Sequence, residues 1–359
     1  MKKIIKRFVY ALLGVSVLCL AAISCSSPTG SDSPTPAPQN PPSGSESEPG
    51  VYIAGCYDED TLYPCYWRDG EIVELSTHGR NGGYVGACFN DNGTIRFAGN
   101  QYQSVSIWSD RYRTDWSSGY SSLSSSPMIK AMFVRGSQTC IVGNVNYSAV
   151  YWKNGVWKTL ISGSGSSGVL EGVYIDEALN THICGTKEYY TPMYWKNDTS
   201  YELDTVGKSG QAYDITMADG HVYIVGSGSN GIDRIIACYW VDGVRHDLNT
   251  AASNISVAYS IYIDGADIYI GGYYCANGDY NSGKNHACYW KNGELVDLSG
   301  PGAHVDDIVV SSGKVYACGN TRSQILIDEW VGCYWIDGDL HELTSLSNKG
   351  SGASSIVVK

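Results

Sequence analysis

His286-Ala287-Cys288-Tyr289-Trp290-Lys291-Asn292-Gly293-Glu294-Leu295-Val296-Asp297-Leu298 joins two short strand-like runs through a two-residue turn. β-Branched and aromatic residues dominate both runs, and Asn-Gly suits a type I′ turn because both of its central residues need positive φ. Upstream, Ala258-Tyr259-Ser260-Ile261-Tyr262-Ile263 and Asp267-Ile268-Tyr269-Ile270-Gly271-Gly272 read as two further strands, parted by Asp264-Gly265. The unit is therefore four short strands in meander order, and no helical periodicity competes with this reading.

Its core recurs as Tyr66-Trp67-Arg68-Asp69-Gly70, Tyr151-Trp152-Lys153-Asn154-Gly155, Tyr194-Trp195-Lys196-Asn197-Asp198, Tyr239-Trp240-Val241-Asp242-Gly243 and Tyr334-Trp335-Ile336-Asp337-Gly338, with a worn copy at Ile107-Trp108-Ser109-Asp110. Successive tryptophans stand 41 to 50 residues apart. That period belongs to solenoids, propellers and arrays. Seven such units describe an all-β fold, a seven-bladed β-propeller with four antiparallel strands per blade. An open row of sheets would leave strand edges exposed, whereas a ring protects them. The chain ends supply the closure. Ala353-Ser354-Ser355-Ile356-Val357-Val358 matches the first strand of the unit, as in Val305-Asp306-Asp307-Ile308-Val309-Val310. Val51-Tyr52-Ile53-Ala54-Gly55 matches the second, as in Val315-Tyr316-Ala317-Cys318-Gly319. The C-terminal strand is expected to complete the blade that the N-terminal strand begins. In the third strand Tyr and Trp point to opposite faces, so each is expected to pack toward a different neighbouring blade. Residues that recur in every blade are read as scaffold; those peculiar to one blade are the candidates for function.

Before the repeats, Lys2, Lys3, Lys6 and Arg7 precede an apolar run over residues 8–23, the layout of an export signal rather than of a spanning helix. Ala22-Ile23-Ser24-Cys25 resembles the lipobox of bacterial lipoproteins, with Ala22 where leucine is usual. The resemblance implies a signal peptide over residues 1–24 and a Cys25 that takes a lipid (palmitate) and becomes the mature N-terminus. Residues 26–50 hold seven of the eleven prolines and seven serines. Such a composition cannot bury a core and reads as a disordered tether, reaching about 75 Å at roughly 3 Å per residue. The expected organisation is signal peptide 1–24, lipidated Cys25 with tether 25–50, and propeller 51–359, held to a membrane rather than crossing it. The Cys-Tyr-Trp-x-Asn/Asp-Gly repeat is similar to those of bacterial lipoproteins in the propeller superfamily. That resemblance implies a fold and a place in the cell envelope, and no substrate.

The net charge is −12, and four of the positive charges lie in the first seven residues. So acidic a chain argues against nucleic acid and against docking flat on anionic lipid. Cys65, Cys238, Cys288 and Cys333 share one repeat position, which elsewhere holds Ser106, Val150 or Met193. A position that accepts Val, Met and Cys is a packing slot. Export permits disulfides, and Cys56 with Cys65 or Cys275 with Cys288 would pair if strand register brought the sulfurs within reach. No CxxC or Cys/His spacing suggests zinc, and no nucleotide, serine-hydrolase or metalloprotease motif is present. No cofactor or metal is expected.

In a propeller the loops from second to third strand, and from fourth strand to the next blade, share one face. Here those loops break the repeat. Residues 273–287 carry Tyr273, Tyr274, Asp279 and Tyr280; residues 187–191 carry Tyr189 and Tyr190; residues 320–332 carry Trp330, outside the repeat pattern. Aromatics beside Asn, Asp and Ser suit stacking on a sugar ring or anchoring a protein partner. Asn277, Asp279 and Asn281 are spaced as in a calcium loop, but Cys288 stands where the twelfth-position Glu is needed. Glu171, Asp214, Asp306 and Asp307 fall in first strands, which line a propeller's channel, where clustered carboxylates could bind a cation or do acid–base work. The sequence reads as an envelope lipoprotein binding or scaffolding a protein or glycan partner through its loops, with no catalytic residue assigned. The competing readings are an enzyme acting on polysaccharide or cell wall from channel carboxylates, and a purely structural envelope component.

Overall fold

The computed structural model describes residues 49–359 except 78–81, 102, 110–111, 118–125, 163–166, 189, 207–208, 230–234, 249, 251–254, 276–283, 324–325, 327–328, 344 and 347–348. Twenty-eight strands among them form seven four-stranded antiparallel sheets. In blade 6 the strands run Ile255–Asp264, Asp267–Cys275, Asn285–Lys291 and Glu294–Pro301 from the axis outward. Blade 1 takes its inner strand, Ser351–Val358, from the C-terminus and its second, Val51–Asp58, from the N-terminus. The inner strands of blades 2, 3, 4, 5 and 7 are Tyr84–Asp91, Met128–Arg135, Gly168–Ile175, Gly210–Ala218 and Ala303–Ser311. Each touches the next in an unbroken cycle, and the inner strand of blade 1 meets those of blades 2 and 7. The ring is closed as the chain ends imply.

Seven hydrophobic clusters hold it, one at each seam between blades. Trp290 of blade 6 packs with Val225, Ala237 and Leu248 of blade 5. Its neighbour Tyr289 faces the other way, into the cluster built around Trp335 of blade 7. The rule repeats around the ring: Trp67, Trp108, Trp152, Trp195, Trp240, Trp290 and Trp335 each enter the seam with the preceding blade. All seven are at most 3% exposed. Each burial of this size contributes about 2–3 kcal/mol. The indoles of Trp108 and Trp240 also donate to the carbonyls of Ser76 and Asp204, at 3.0 and 2.8 Å, on the linker leaving the preceding blade.

The turn after the Tyr-Trp pair does more than reverse the chain. Both central residues have positive φ, as in Asn292 (52°) and Gly293 (85°). The first of the two also clamps the second strand. Asn292 Oδ1 accepts the Ile268 N–H at 2.9 Å, and Asp69, Asn154, Asn197, Asp242 and Asp337 do the same to Val51, Thr139, Thr181, Val222 and Val315. Asn and Asp are thus selected twice, for tolerance of positive φ and for an acceptor of the right reach.

Every inner strand carries one β-bulge against its second strand. The extra residue is Ser354, Gly86, Lys130, Glu171, Tyr213, Tyr259 or Asp306 in blades 1 to 7 in turn. A bulge bends its strand and turns its carbonyl across the ladder. Opposite it the second strand always holds glycine. A Cβ at Gly272 would overlap the Val257 carbonyl oxygen, and Gly55, Gly99, Gly143, Gly185, Gly226 and Gly319 are equally confined. The space left above each glycine takes the third-strand slot residue, since Gly272 pairs with Cys288 and Gly226 with Cys238. That is why Cys, Ser, Val and Met all serve there. Register keeps the candidate disulfides apart: Cys56 stands opposite Pro64 and Cys275 opposite Asn285, so their presumed partners point to the other sheet face. The ten cysteines among the described residues are unbridged.

Replacing Asn292 by Gly keeps the turn and removes its side-chain bonds, the clamp and the donation from Nδ2 to Asp267 Oδ1 at 2.8 Å. Urea unfolding should show a loss of about 0.5–1 kcal/mol for Asn292→Gly, and about 1–2 kcal/mol more for Asn292→Ala, whose Cβ resists positive φ. An unchanged Asn292→Gly would show that the clamp contributes nothing.

Candidate functional site

The bulge decides what each inner-strand side chain can do. The bulge residue itself faces the channel, and the residue after it turns into the seam with the next blade. The carboxylates grouped together in the sequence therefore separate into two sets.

Asp214 and Asp307 belong to the seams, contrary to the expectation that they line the channel. Asp214 accepts the N–H of Ile215 at 2.8 Å and, across the seam, that of Ile261 at 3.0 Å. Asp307 accepts the Ser260 hydroxyl at 2.7 Å and the Ile308 N–H at 2.8 Å on one oxygen, and the Ser355 hydroxyl and Ile356 N–H, both at 2.9 Å, on the other. Ser355 in turn accepts the Cys88 N–H at 3.3 Å. These bonds make a belt through blades 5, 6, 7, 1 and 2. At the same position blades 2, 3 and 4 hold Ala87, Ala131 and Gly172, and there the seam is apolar. Burial pushes the Asp214 carboxyl up to about 7 against the hydrogen bonds it receives, and raises Asp307 in the same way.

Glu171 and Asp306 are bulge residues and face the channel. Glu171 lies 3.1 Å from Lys130 Nζ of the neighbouring blade, the side chains being 13% and 14% exposed. Burial raises its pKa although Lys130 pulls it down. Asp306 accepts Asn320 Nδ2 at 2.7 Å and lies 3.2 Å from His304 Nε2.

Beside Asp306 runs an aromatic ladder over three blades. The Tyr213 ring meets Tyr259 edge-on at 4.9 Å, and Tyr259 lies 5.9 Å from Tyr273 and 6.3 Å from His304. His304 lies 6.0 Å from Trp330, over which Arg322 sits at 5.5 Å. Burial drives the Tyr213 and Tyr259 hydroxyls far above their usual range, so both stay protonated and serve as donors as well as acceptors. The backbone shows that this end of the channel carries the variable loops. Gly302 N donates to Asn285 O at 2.7 Å, Arg322 N to Gly302 O at 3.1 Å and Ser323 N to Glu329 O at 3.0 Å. Second-to-third-strand connections and blade-to-blade linkers thus meet around the mouth.

Of the sequence candidates, Tyr273 and Trp330 come together here. Tyr274 does not: it lies on the other face of its strand, stacks on His286 at 4.9 Å and packs into the seam of blades 5 and 6. Tyr190 is 60% exposed, in blade 4. Tyr189, Asp279, Tyr280 and Cys25 lie outside the described residues. Tyr213, Tyr259 and His304 escape a loop-based reading because they sit inside strands. Tyr213 and Tyr259 take the bulge position, whose residue type changes from blade to blade, and His304 stands two residues before the bulge of its own strand. Among the described residues no group of three His, Cys, Asp or Glu is placed to hold a metal ion.

No family model matches the sequence, and no curated protein matches it. Solved structures with a similar fold include the extracellular domain of a hybrid two-component system of B. thetaiotaomicron, at 8% identity over 75% of this chain and 38% of that one, with a TM-score of 0.47. They also include virginiamycin B lyase of Staphylococcus aureus, at 11% identity over 77% and 95% of the two chains and a TM-score of 0.44. A protein of unknown function from Bacteroides caccae matches at 11% identity over 86% and 98%, also with a TM-score of 0.44. The chain thus spans well under half of the first of these. Likenesses at this level carry no argument about the channel mouth.

The belt gives a pH test. Folded Asp214 keeps its proton up to about 7, against 3.8 for an unperturbed carboxyl. A raised folded-state pKa adds stability that is complete at low pH and is lost as pH rises through the folded value. Between pH 4 and 7 the wild-type melting temperature should therefore fall relative to that of Asp214→Asn. Parallel curves for the two proteins would contradict the assignment.

Proposed function

We propose that the protein is a lipid-anchored lipoprotein of the cell envelope whose propeller binds a protein or glycan partner through its loop face. The observation that carries the binding reading is the aromatic ladder of Tyr213, Tyr259, Tyr273, His304 and Trp330 at the channel mouth. It breaks the sevenfold repeat, so closing the ring does not require it. Half-buried aromatics beside a carboxylate and a guanidinium form the kind of surface that anchors a ligand. The anchor rests on the basic start of the chain, Cys25 and the Ser/Pro-rich stretch after it. One acyl chain alone holds weakly, so the lipid at Cys25 is expected to carry more than one.

The enzymatic reading loses two of its four carboxylates to the seams. Glu171 is paired with Lys130 and Asp306 with Asn320. Nothing in this arrangement favours acid–base chemistry over binding.

Cells fed radiolabelled palmitate should label the wild-type protein and not Cys25→Ser, and the variant should leave the membrane fraction. Envelope pull-downs on the full chain should lose their partner with Trp330→Ala and keep it with Trp157→Ala, whose side chain lies on the outer strand of blade 3. Equal capture by both variants would sink the loop-face reading, and a labelled Cys25→Ser would sink the anchor.

A further inference from the structure

The chemistry of the mouth narrows the ligand class. We infer that it takes an uncharged sugar ring at the end of a glycan chain, an inference that rests on the binding reading above. Three observations carry it.

The mouth is recessed. His304 is 4% exposed, and Tyr213, Tyr259 and Trp330 are half-buried. A narrow chain end fits such a site better than a protein surface. The large exposed apolar side chains lie elsewhere, among them Val156 (68%), Trp157 (40%) and Tyr201 (49%) on the outer strands of blades 3 and 4.

Its polar groups ask for a hydroxyl. His304 Nε2 has no hydrogen-bond partner, although it is buried and only 3.2 Å from Asp306 Oδ2. A buried polar atom left unpaired costs about 1–3 kcal/mol. A hydroxyl seated against the two can accept from the imidazole Nε2–H and donate to Asp306 Oδ2, which already accepts Asn320 Nδ2. The tyrosine hydroxyls nearby also donate and accept. A sugar presents several hydroxyls on a ring whose C–H face packs on aromatics.

Its charges balance. Glu171 is paired with Lys130, Asp306 lies against Asn320 and His304, and Arg322 brings a positive charge over Trp330. The chain as a whole carries −12, which disfavours the approach of an anionic glycan.

The test titrates full-length protein in detergent with cellohexaose, mannohexaose, xylohexaose and N-acetylchitohexaose, beside hexagalacturonate. At least one neutral hexasaccharide should bind at millimolar concentration or below, and hexagalacturonate should bind about tenfold more weakly or not at all. Trp330→Ala and Asp306→Asn should each weaken the neutral sugar by about tenfold or more, as expected for an anchor worth over 1.4 kcal/mol. Trp157→Ala should leave it unchanged. Unfolding midpoints will show whether either mouth variant has lost its fold. The inference is overturned if none of the neutral sugars binds, if the uronate binds as well as they do, or if the folded Trp330→Ala binds like wild type. Loss of sugar binding as a property, together with an envelope protein whose capture still depends on Trp330, would leave the binding module standing and remove only the sugar. Capture that ignores Trp330 would remove both.

Discussion

The insertion of each third-strand tryptophan into the preceding blade is the contact on which everything else depends. A four-stranded sheet of this size cannot bury both faces alone. With Trp directed backward and Tyr forward, each blade supplies half of two seams, and seven blades leave none unfilled. The turn that follows keeps the third strand in register. Its Asn or Asp holds the second strand by a side-chain bond of 2.8–2.9 Å in the six blades where it is described. The period-2 alternation of a strand and the positive φ of a type I′ turn are thus converted into ring geometry.

Inside that ring the bulge separates structure from function by a single residue. At Asp306-Asp307 the first carboxylate faces the channel and the second joins three chain segments by four hydrogen bonds. Tyr213-Asp214 and Tyr259-Ser260 divide in the same way. The polar belt and the aromatic ladder lie on the same sector of the ring because the same dipeptides supply both. Blade 3, with Lys130-Ala131, contributes neither a belt residue nor a ring to the ladder, and blade 2, with Gly86-Ala87, gives the belt only the Cys88 N–H.

This explains how much of the molecule is legible in its sequence. The fold is legible because Tyr-Trp-x-Asn/Asp-Gly repeats at a constant period and the two ends match different strands of one unit. Tyr273 and Trp330 are legible as site residues because they break that pattern. Asp214 and Asp307 mislead because a strand read without its bulge places alternate residues on the wrong side, and one extra residue reverses them. The clue is the invariant second-strand glycine, such as Gly226 or Gly272, whose confinement by the opposite carbonyl marks the bulge. The same slip hides Tyr213 and Tyr259, whose neighbours on either side point away from the channel.

Ring and site are told apart by two tryptophans, one from the repeat and one outside it. Trp290 fills a seam, with no exposed surface, while Trp330 stands half-buried at the mouth between His304 and Arg322. Denaturant unfolding of Trp290→Ala beside Trp330→Ala tests this most directly. The expected losses are about 3–5 kcal/mol for the seam residue and about 1 kcal/mol or less for the mouth residue. Equal losses would mean that Trp330 is scaffold too, and would contradict the division between ring and site.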